Sequence, residues 1–292
     1  MILVVGGTGM LGSRVVTILR GQGREVRVLS RGVTAAPADE GVGSVDSVTG
    51  DVRDPARLAE AMAGVKTVVS AFHGFTYSQR NALATIDRDG NRALVAAAEL
   101  AGADVVLTSV GVAASDSPLE LGRMKYAAER ALLARPVRST IVRPDAFAQL
   151  WIGLLAQTGA KSHRPLVFGA GDNPIGWVSV DDVAALVARA VTDDSLRGSI
   201  LPISGPEALS MRELAKRVMD AQGWPGEPRS VPRPALRLMA ATVGLVKPAL
   251  GRQARASLAM DVLPRVDDTP TRALLPDLPA TPVSGLLSSV AA

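Results

Sequence analysis

In the first half of the chain, short apolar runs alternate with longer stretches in which apolar residues return every three to four positions. These are the periodicities of buried strands and of helices. Ile2–Val5 reads as the first strand, Met10–Arg20 as a helix, Glu25–Leu29 as the second strand and Val45–Val48 as a weaker third. Asp54 followed by Pro55 is an N-cap with proline in the first turn, and predicts a short helix over Pro55–Ala63. Thr67–Ala71 is the fourth strand, and the Ala/Leu-rich Asn81–Ala101 is predicted as one long helix ending at Gly102. Val105–Ser109, a helix over Leu119–Leu133 and a strand at Ser139–Val142 continue the rhythm. Such β–α alternation implies an α/β fold, a doubly wound parallel sheet of Rossmann type with helices on both faces.

After Pro144 the rhythm loosens. Segment 145–176 carries Trp151, several glycines, Pro165 and Pro174, whereas Asp181–Val191 looks helical and Ile200–Ile203 is placed to rejoin the sheet. Met211–Ala221 is a further helix, and the tail from 230 is rich in Pro, Arg and small apolar residues. The division expected is a dinucleotide-binding domain at 1–144, completed by 177–205, and a small C-terminal lobe covering substrate from 145–176 and 206–292. Ala235–Val246 is apolar but too short to cross a membrane, and reads as a packed helix or a subunit contact, with a homodimer as the assembly it would serve.

The chemistry begins at Gly6-Gly7-Thr8-Gly9-Met10-Leu11-Gly12, which contains G-x-G-x-x-G after a strand and at the opening of a helix. Glycines there let the chain turn tightly and let the backbone approach a pyrophosphate, and the helix N–H groups point at that anion. Gly6, Thr8, Gly9, Met10, Leu11 and Gly12 are therefore candidate cofactor-binding residues. The second strand should end about twenty residues beyond the glycines, where an NAD-binding chain usually carries Asp or Glu for the ribose 2′-hydroxyl. This chain carries Ser30-Arg31. A guanidinium attracts a 2′-phosphate, so the cofactor expected is NADP (NADPH), the alternative for Arg31 being a solvated loop charge. Asp51 and Val52, after the third strand, are candidates for the adenine end, although a turn or capping role suits Asp51 almost as well. Ala71 and Phe72, which end the fourth strand, would lie along the cofactor, and His73 and Tyr77 follow them as pocket-lining residues or proton donors.

Composition narrows the remaining classes. With 292 residues and 47% hydrophobic content, the chain can build a large core. It has no cysteine, which removes disulfides, thiolate metal sites and cysteine nucleophiles, and only two histidines, His73 and His163, so no metal site is expected. The net charge of +4 is spread among acidic neighbours and aromatics are 3%, so no nucleic acid partner is expected. No long apolar run and no basic leader with a cleavage site is present, which reads as no membrane span, no signal peptide and a cytoplasmic protein.

Several segments together carry a family resemblance: GGTGMLGSRVV at 6–16, VRVLSRG at 26–32, GDVRDPARLAEAMAGV at 50–65, TSVGV at 108–112, MKYAAERAL at 124–132, TIVRPDAF at 140–147, WVSVDDVA at 177–184 and ISGPEALSMRELA at 203–215. In order and spacing they resemble the atypical short-chain dehydrogenase/reductases, in particular the NmrA-like branch. The resemblance implies NAD(P) at the carboxyl ends of the strands and a Ser, Tyr and Lys acting together. Ser109 matches the serine position and Lys125 the lysine, which makes them the candidate catalytic residues, with Lys125 also holding the nicotinamide ribose. Pro144 would pass the nicotinamide and shape its loop. Four residues before Lys125, however, stands Leu121 where the family has tyrosine, and Tyr126 is turned about 100° away around the helix. Without that phenol a simple ketone reductase is a poor fit. Two functions follow: an NADPH-dependent reductase of a conjugated small-molecule substrate (quinone, enone, imine or related ketone), or an NADP-binding redox sensor or regulatory protein without turnover.

Overall fold

The computed structural model describes residues 1–32, 45–75 and 77–287. The strands are β1 (Ile2–Val5), β2 (Val26–Ser30), β3 (Val45–Thr49), β4 (Thr67–Ser70), β5 (Asp104–Thr108), β6 (Ser139–Pro144), β7 (Leu166–Phe168), β8 (Ile175–Gly176), β9 (Ile200–Ile203), β10 (Ala208–Leu209) and β11 (Arg229–Val231). Seven of them form one parallel sheet in the order β3-β2-β1-β4-β5-β6-β9. The chain winds outward from β1 to β3 and then returns to β4 on the other side of β1. That reversal opens a crevice at the carboxyl ends of β1 and β4, where ligands of open α/β sheets bind.

Strand alternation fills two separate layers. Ile2 and Val4 face one way, with Val69, Val106 and Val142, onto α1 (Met10–Gly21) and onto the helix that follows Ser179. Leu3 and Val5 face the other way, with Val68, Val105, Leu107 and Ile141, onto Leu58 of α2 (Pro55–Met62), Leu94 of α3 (Asn91–Ala101) and Leu132 of α4 (Glu120–Leu133). Each fully buried aliphatic side chain of this kind stabilises the fold by about 1.5–3 kcal/mol. Asp54 caps α2 as its sequence suggested, accepting from the N–H groups of Ala56 and Arg57.

The long helix predicted for Asn81–Ala101 is not uniform. Leu83–Gly90 is π-helical, and only Asn91–Ala101 is α-helical. The wider winding turns both Asp87 and Asn91 inward, and Asn91 Nδ2 donates to Asp87 O at 2.7 Å. Gly90 lies where a Cβ would come within 3.1 Å of Val52, so the shift lets the helix sit close to the end of β3.

Beyond β6 a smaller layer forms around the buried Trp177, whose indole N–H donates to Leu209 O at 2.8 Å. It takes Ile152 and Leu155 from α5 (Ala148–Gly159). After α6 (Val180–Thr192) and β9, α7 (Met211–Ala221) adds Leu214 and Val218. The apolar stretch 235–246 splits into α8 (Arg233–Ala241) and α9 (Val243–Val246), both packed on α10 (Pro248–Met260). Leu236 is buried there, but Leu238, Leu245 and Val246 face outward, so a fully packed helix is not what forms. Two short helices, α11 (Thr269–Leu274) and α12 (Val283–Leu287), close the described chain. Among the described residues no helix is long and apolar enough to cross a membrane.

Candidate functional site

Three glycines of the turn between β1 and α1 are needed for different reasons. Gly6 has φ +85°, and a Cβ on it would lie 2.6 Å from Ala71 O, so the turn presses directly against the strand end of β4. A Cβ on Gly12 would lie 2.2 Å from Gly6 O, which fixes how closely α1 follows the turn. Gly9 is exposed, and a Cβ there would meet only Gly6 O, at 3.3 Å. The protein itself barely needs a glycine at that position; a ligand seated on the turn would. Gly9 caps α1 with no side-chain hydrogen bond, and the first turn has no acidic residue. The first helical N–H groups are thus left to an anion, which the helix dipole also favours. Thr8 and Met10 flank Gly9 on the exposed rim, whereas the Leu11 side chain is in the core and can serve only through its backbone.

At the ends of β2 and β3 stand Ser30, Arg31, Asp51 and Arg53. The buried Ser30 donates its hydroxyl to Gly32 O at 2.7 Å. Arg31 is exposed, with its guanidinium 4.3 Å from the centroid of the Tyr77 ring. Among the described residues no carboxylate lies within ion-pair distance of Arg31. Asp51 accepts from Arg53 Nε at 2.8 Å, from Arg53 Nη2 at 2.7 Å and from the Arg53 N–H at 2.9 Å. The hydrogen bond from the Arg53 side chain, the largest influence, holds the Asp51 carboxyl below its ordinary range against the opposing effect of burial. An adenine amino group would have to share Asp51 with Arg53. Val52 is partly buried, packed against the core and close to Gly90.

The loop after β4 is held from behind. The Ala71 N–H donates to Val5 O at 2.9 Å, extending the ladder by one bond. Lys125 is buried: its Nζ donates to Phe72 O at 2.9 Å and lies 3.4 Å from Asp87 Oδ1 and 5.6 Å from the centroid of the Phe72 ring. The other Asp87 oxygen accepts from the Gly74 N–H at 2.8 Å. Ser70 donates to Asn91 Oδ1 at 2.6 Å, which completes a buried polar network beneath residues 70–74. His73 Nδ1 accepts from the Phe75 N–H at 3.2 Å, so a neutral ring carries its proton on Nε2. Desolvation lowers the His73 pKa, the Asp87 charge opposes that, and the Lys125 charge reinforces it, although solvent still reaches the residue at the mouth of the crevice.

A crevice at the sheet's switch point, an uncapped helix start and a cationic strand end are the parts of a dinucleotide site. Residues 6–194 match the model of a family described as NAD(P)H-binding. The chain belongs to this NAD(P)H-binding family. Over 229 residues the family member is 31% identical to the NAD(P)H azoreductase of Xenophilus azovorans, covering 77% of this chain and 75% of that protein. Its fold matches the NADPH-dependent quinone oxidoreductase of Escherichia coli solved with NADPH, at TM-score 0.79 and 22% identity over 99% of both chains. It also matches the Citrobacter sp. triphenylmethane reductase solved with NADP(H), at TM-score 0.78 and 20% identity over 99% of both chains.

Within this NAD(P)H-binding chain, Ser109 sits at the carboxyl end of β5. Its N–H donates to Val142 O at 2.8 Å, and its buried hydroxyl has no hydrogen-bond partner among the described residues. Pro144 is buried, and its carbonyl accepts from the Gly111 N–H at 2.7 Å, so it shapes the end of β6. Its neighbour Asp145 accepts from the Ala146 N–H at 2.8 Å and from Ser204 Oγ at 3.1 Å, and burial pushes its carboxyl up to about 6. Leu121 is partly buried in the first turn of α4.

Three contributors were not visible in the sequence. Asp87 and Asn91 lay inside a stretch that read as ordinary helix; the run of polar residues Asp87-Arg88-Asp89-Gly90-Asn91 in the Ala/Leu-rich stretch was the available signal. Arg252, one cation in an arginine-rich tail, gave none. It is buried, and its guanidinium donates to Phe75 O and Gln79 O at 3.1 Å each, and to Tyr77 O.

Proposed function

We propose that the chain is an NADPH-dependent reductase that delivers hydride to a conjugated small molecule: a quinone, an enone, an imine or a related ketone. The observation that carries this reading is the pairing, on one crevice, of an uncapped helix start and the exposed Arg31 with a buried lysine tied to the opposite wall. The residues present fit NADPH. The backbone of Gly6–Gly12 would hold the pyrophosphate, Arg31 beside Ser30 the 2′-phosphate, Asp51 and Val52 the adenine end, and Ala71, Phe72 and Pro144 the rest of the molecule. When bound, NADPH supplies the hydride, and the protein supplies position and electrostatics.

Lys125 fixes the wall at Phe72 and keeps a positive charge behind it, suited to the ribose of the nicotinamide half. Ser109 brings a buried hydroxyl to the same edge of the sheet. Leu121 puts an apolar side chain where the resembled reductases carry a phenol. A conjugated acceptor tolerates this, because its π-system spreads the incoming charge and a proton can come from solvent. The azoreductase, the quinone oxidoreductase and the triphenylmethane reductase that the chain resembles all carry the names of conjugated groups. The lobe expected from 145–176 and 206–292 would cover the substrate.

The test is NADPH oxidation with a panel of quinones, azo dyes, enones and simple ketones. Turnover with conjugated acceptors and not with simple ketones is expected. Tight NADPH binding with no turnover on any of them would replace this reading with the redox sensor.

A further inference from the structure

Arg252 stands on α10 and holds a loop 173 to 177 residues before it in the chain. Three main-chain carbonyls, those of Phe75, Tyr77 and Gln79, converge on its one buried guanidinium. A rigid planar fork with five donors suits this task, as a lysine would not. The contact is returned nearby: Arg80 Nη2 donates to Leu245 O of α9 at 2.8 Å. The loop is therefore fastened to the C-terminal helices as well as to the sheet.

The side chain this clamp carries to Arg31 is Tyr77. It is half-buried, and its ring lies 4.3 Å from the Arg31 guanidinium carbon. The Tyr77 phenol also feels the charges of Arg31, Asp51 and Arg53, which puts it among the groups that end β2 and β3. Arg31 has a long, flexible stem, and the Tyr77 ring face against its guanidinium restricts its rotamers. Holding a binding group in its bound conformation before the ligand arrives removes part of the ordering cost of binding.

We infer that Tyr77 is a specificity-determining residue and Arg252 its positioning residue: the C-terminal lobe, through Arg252, keeps the ring under Arg31 and presets the guanidinium for a 2′-phosphate. This rests on Arg31 as the phosphate-binding group of the proposed function. Discrimination between NADPH and NADH is then set partly by a residue on α10 that touches neither cofactor.

Fluorescence titration of full-length wild type, Arg31→Ala, Tyr77→Leu, Tyr77→Phe and Arg252→Met with NADPH and with NADH tests the inference. The ratio of NADPH to NADH affinity is expected to fall roughly three- to tenfold in Tyr77→Leu and in Arg252→Met, and to be restored in Tyr77→Phe, because the ring face and not the hydroxyl holds the cation. A merely structural role would weaken both cofactors alike and leave the ratio unchanged, which overturns the inference. Tyr77 lies on a surface loop, so Tyr77→Leu decides the matter even where Arg252→Met does not fold. If Arg31→Ala abolishes the preference and Tyr77→Leu keeps it, the Arg31 reading stands and the relay falls. A wild type with no preference removes both.

Discussion

The glycine turn at the head of α1 and the loop that leaves β4 touch where Gly6 meets Ala71, yet they are held in place by different means. The turn is made almost wholly of backbone: seven consecutive residues, a positive φ at Gly6, and a helix end left without a cap. The loop is hung on side chains from elsewhere, Asp87 on the π-helical turn, Lys125 on α4 and Arg252 on α10. A wall of the first kind can be lost only by filling its space. One of the second kind can be loosened from a distance, and its geometry depends on buried charges remaining paired.

The sharpest way to break this contrast is at two glycines of the turn. In Gly9→Val the new side chain enters the space over the turn, so NADPH affinity should fall by on the order of a hundredfold or more, with little change in Tm. Gly12→Ala should do the reverse and lower Tm, since its Cβ would clash with Gly6 O at 2.2 Å. Titration and thermal melts of both variants check the pair. On the opposite wall, Lys125→Ala leaves Asp87 buried without its partner and should cost about 3–5 kcal/mol of stability in denaturant unfolding. Where the variant stays folded, single-turnover NADPH oxidation should slow by on the order of a hundredfold, as misplaced reacting groups do. An unchanged rate and unchanged stability would make the lysine a passive charge.

How much of this could be seen in advance follows the same division. Gly6–Gly12, the strand at Ile2–Val5 and the Asp54-Pro55 helix start are local patterns, in which neighbours along the chain decide the conformation, and the structure has them where the sequence puts them. The strand at Ile200–Ile203 was legible for the same reason, and it joins the sheet beside β6. The π-helical winding of Leu83–Gly90 was not legible, because the residue it turns inward, Asp87, meets a partner 38 residues away, Lys125. The clamp by Arg252 was further out of reach, since nothing local distinguishes it from Arg255 or Arg237. Asp51 suits an adenine contact and a turn role almost equally in the sequence, and in the structure Arg53 bonds both its oxygens.

Smaller effects sharpen the comparison. Arg31→Ala should remove most of the preference for NADPH, about 1.5–3 kcal/mol for a charged contact to phosphate, while NADH affinity moves little; equal losses for both cofactors would deny Arg31 that role. Asp145, where β6 meets β9, tests the side-chain-built edge through pH. Burial raises its carboxyl from 3.8 to about 6, so the folded chain holds this proton more tightly than the unfolded chain does. The stabilisation from this group is complete below the unfolded value and is lost as pH rises through the folded one. Asp145→Asn does not titrate, so the stability of wild type relative to the variant should decline by on the order of 1–3 kcal/mol between about pH 4 and pH 6. Denaturant titrations of both proteins across that range read it, and a flat difference would mean that the buried carboxyl is solvated.

The claim on which the rest depends is that these two differently built walls close on one NADPH molecule. Hydrogen–deuterium exchange of the full chain, with and without NADPH, measures that directly. The expected result is added protection of the amides of Gly6–Gly12 and of Ala71–Phe75 together, at the same NADPH concentration. Protection confined to the glycine turn, or found elsewhere with both segments unchanged, would contradict it.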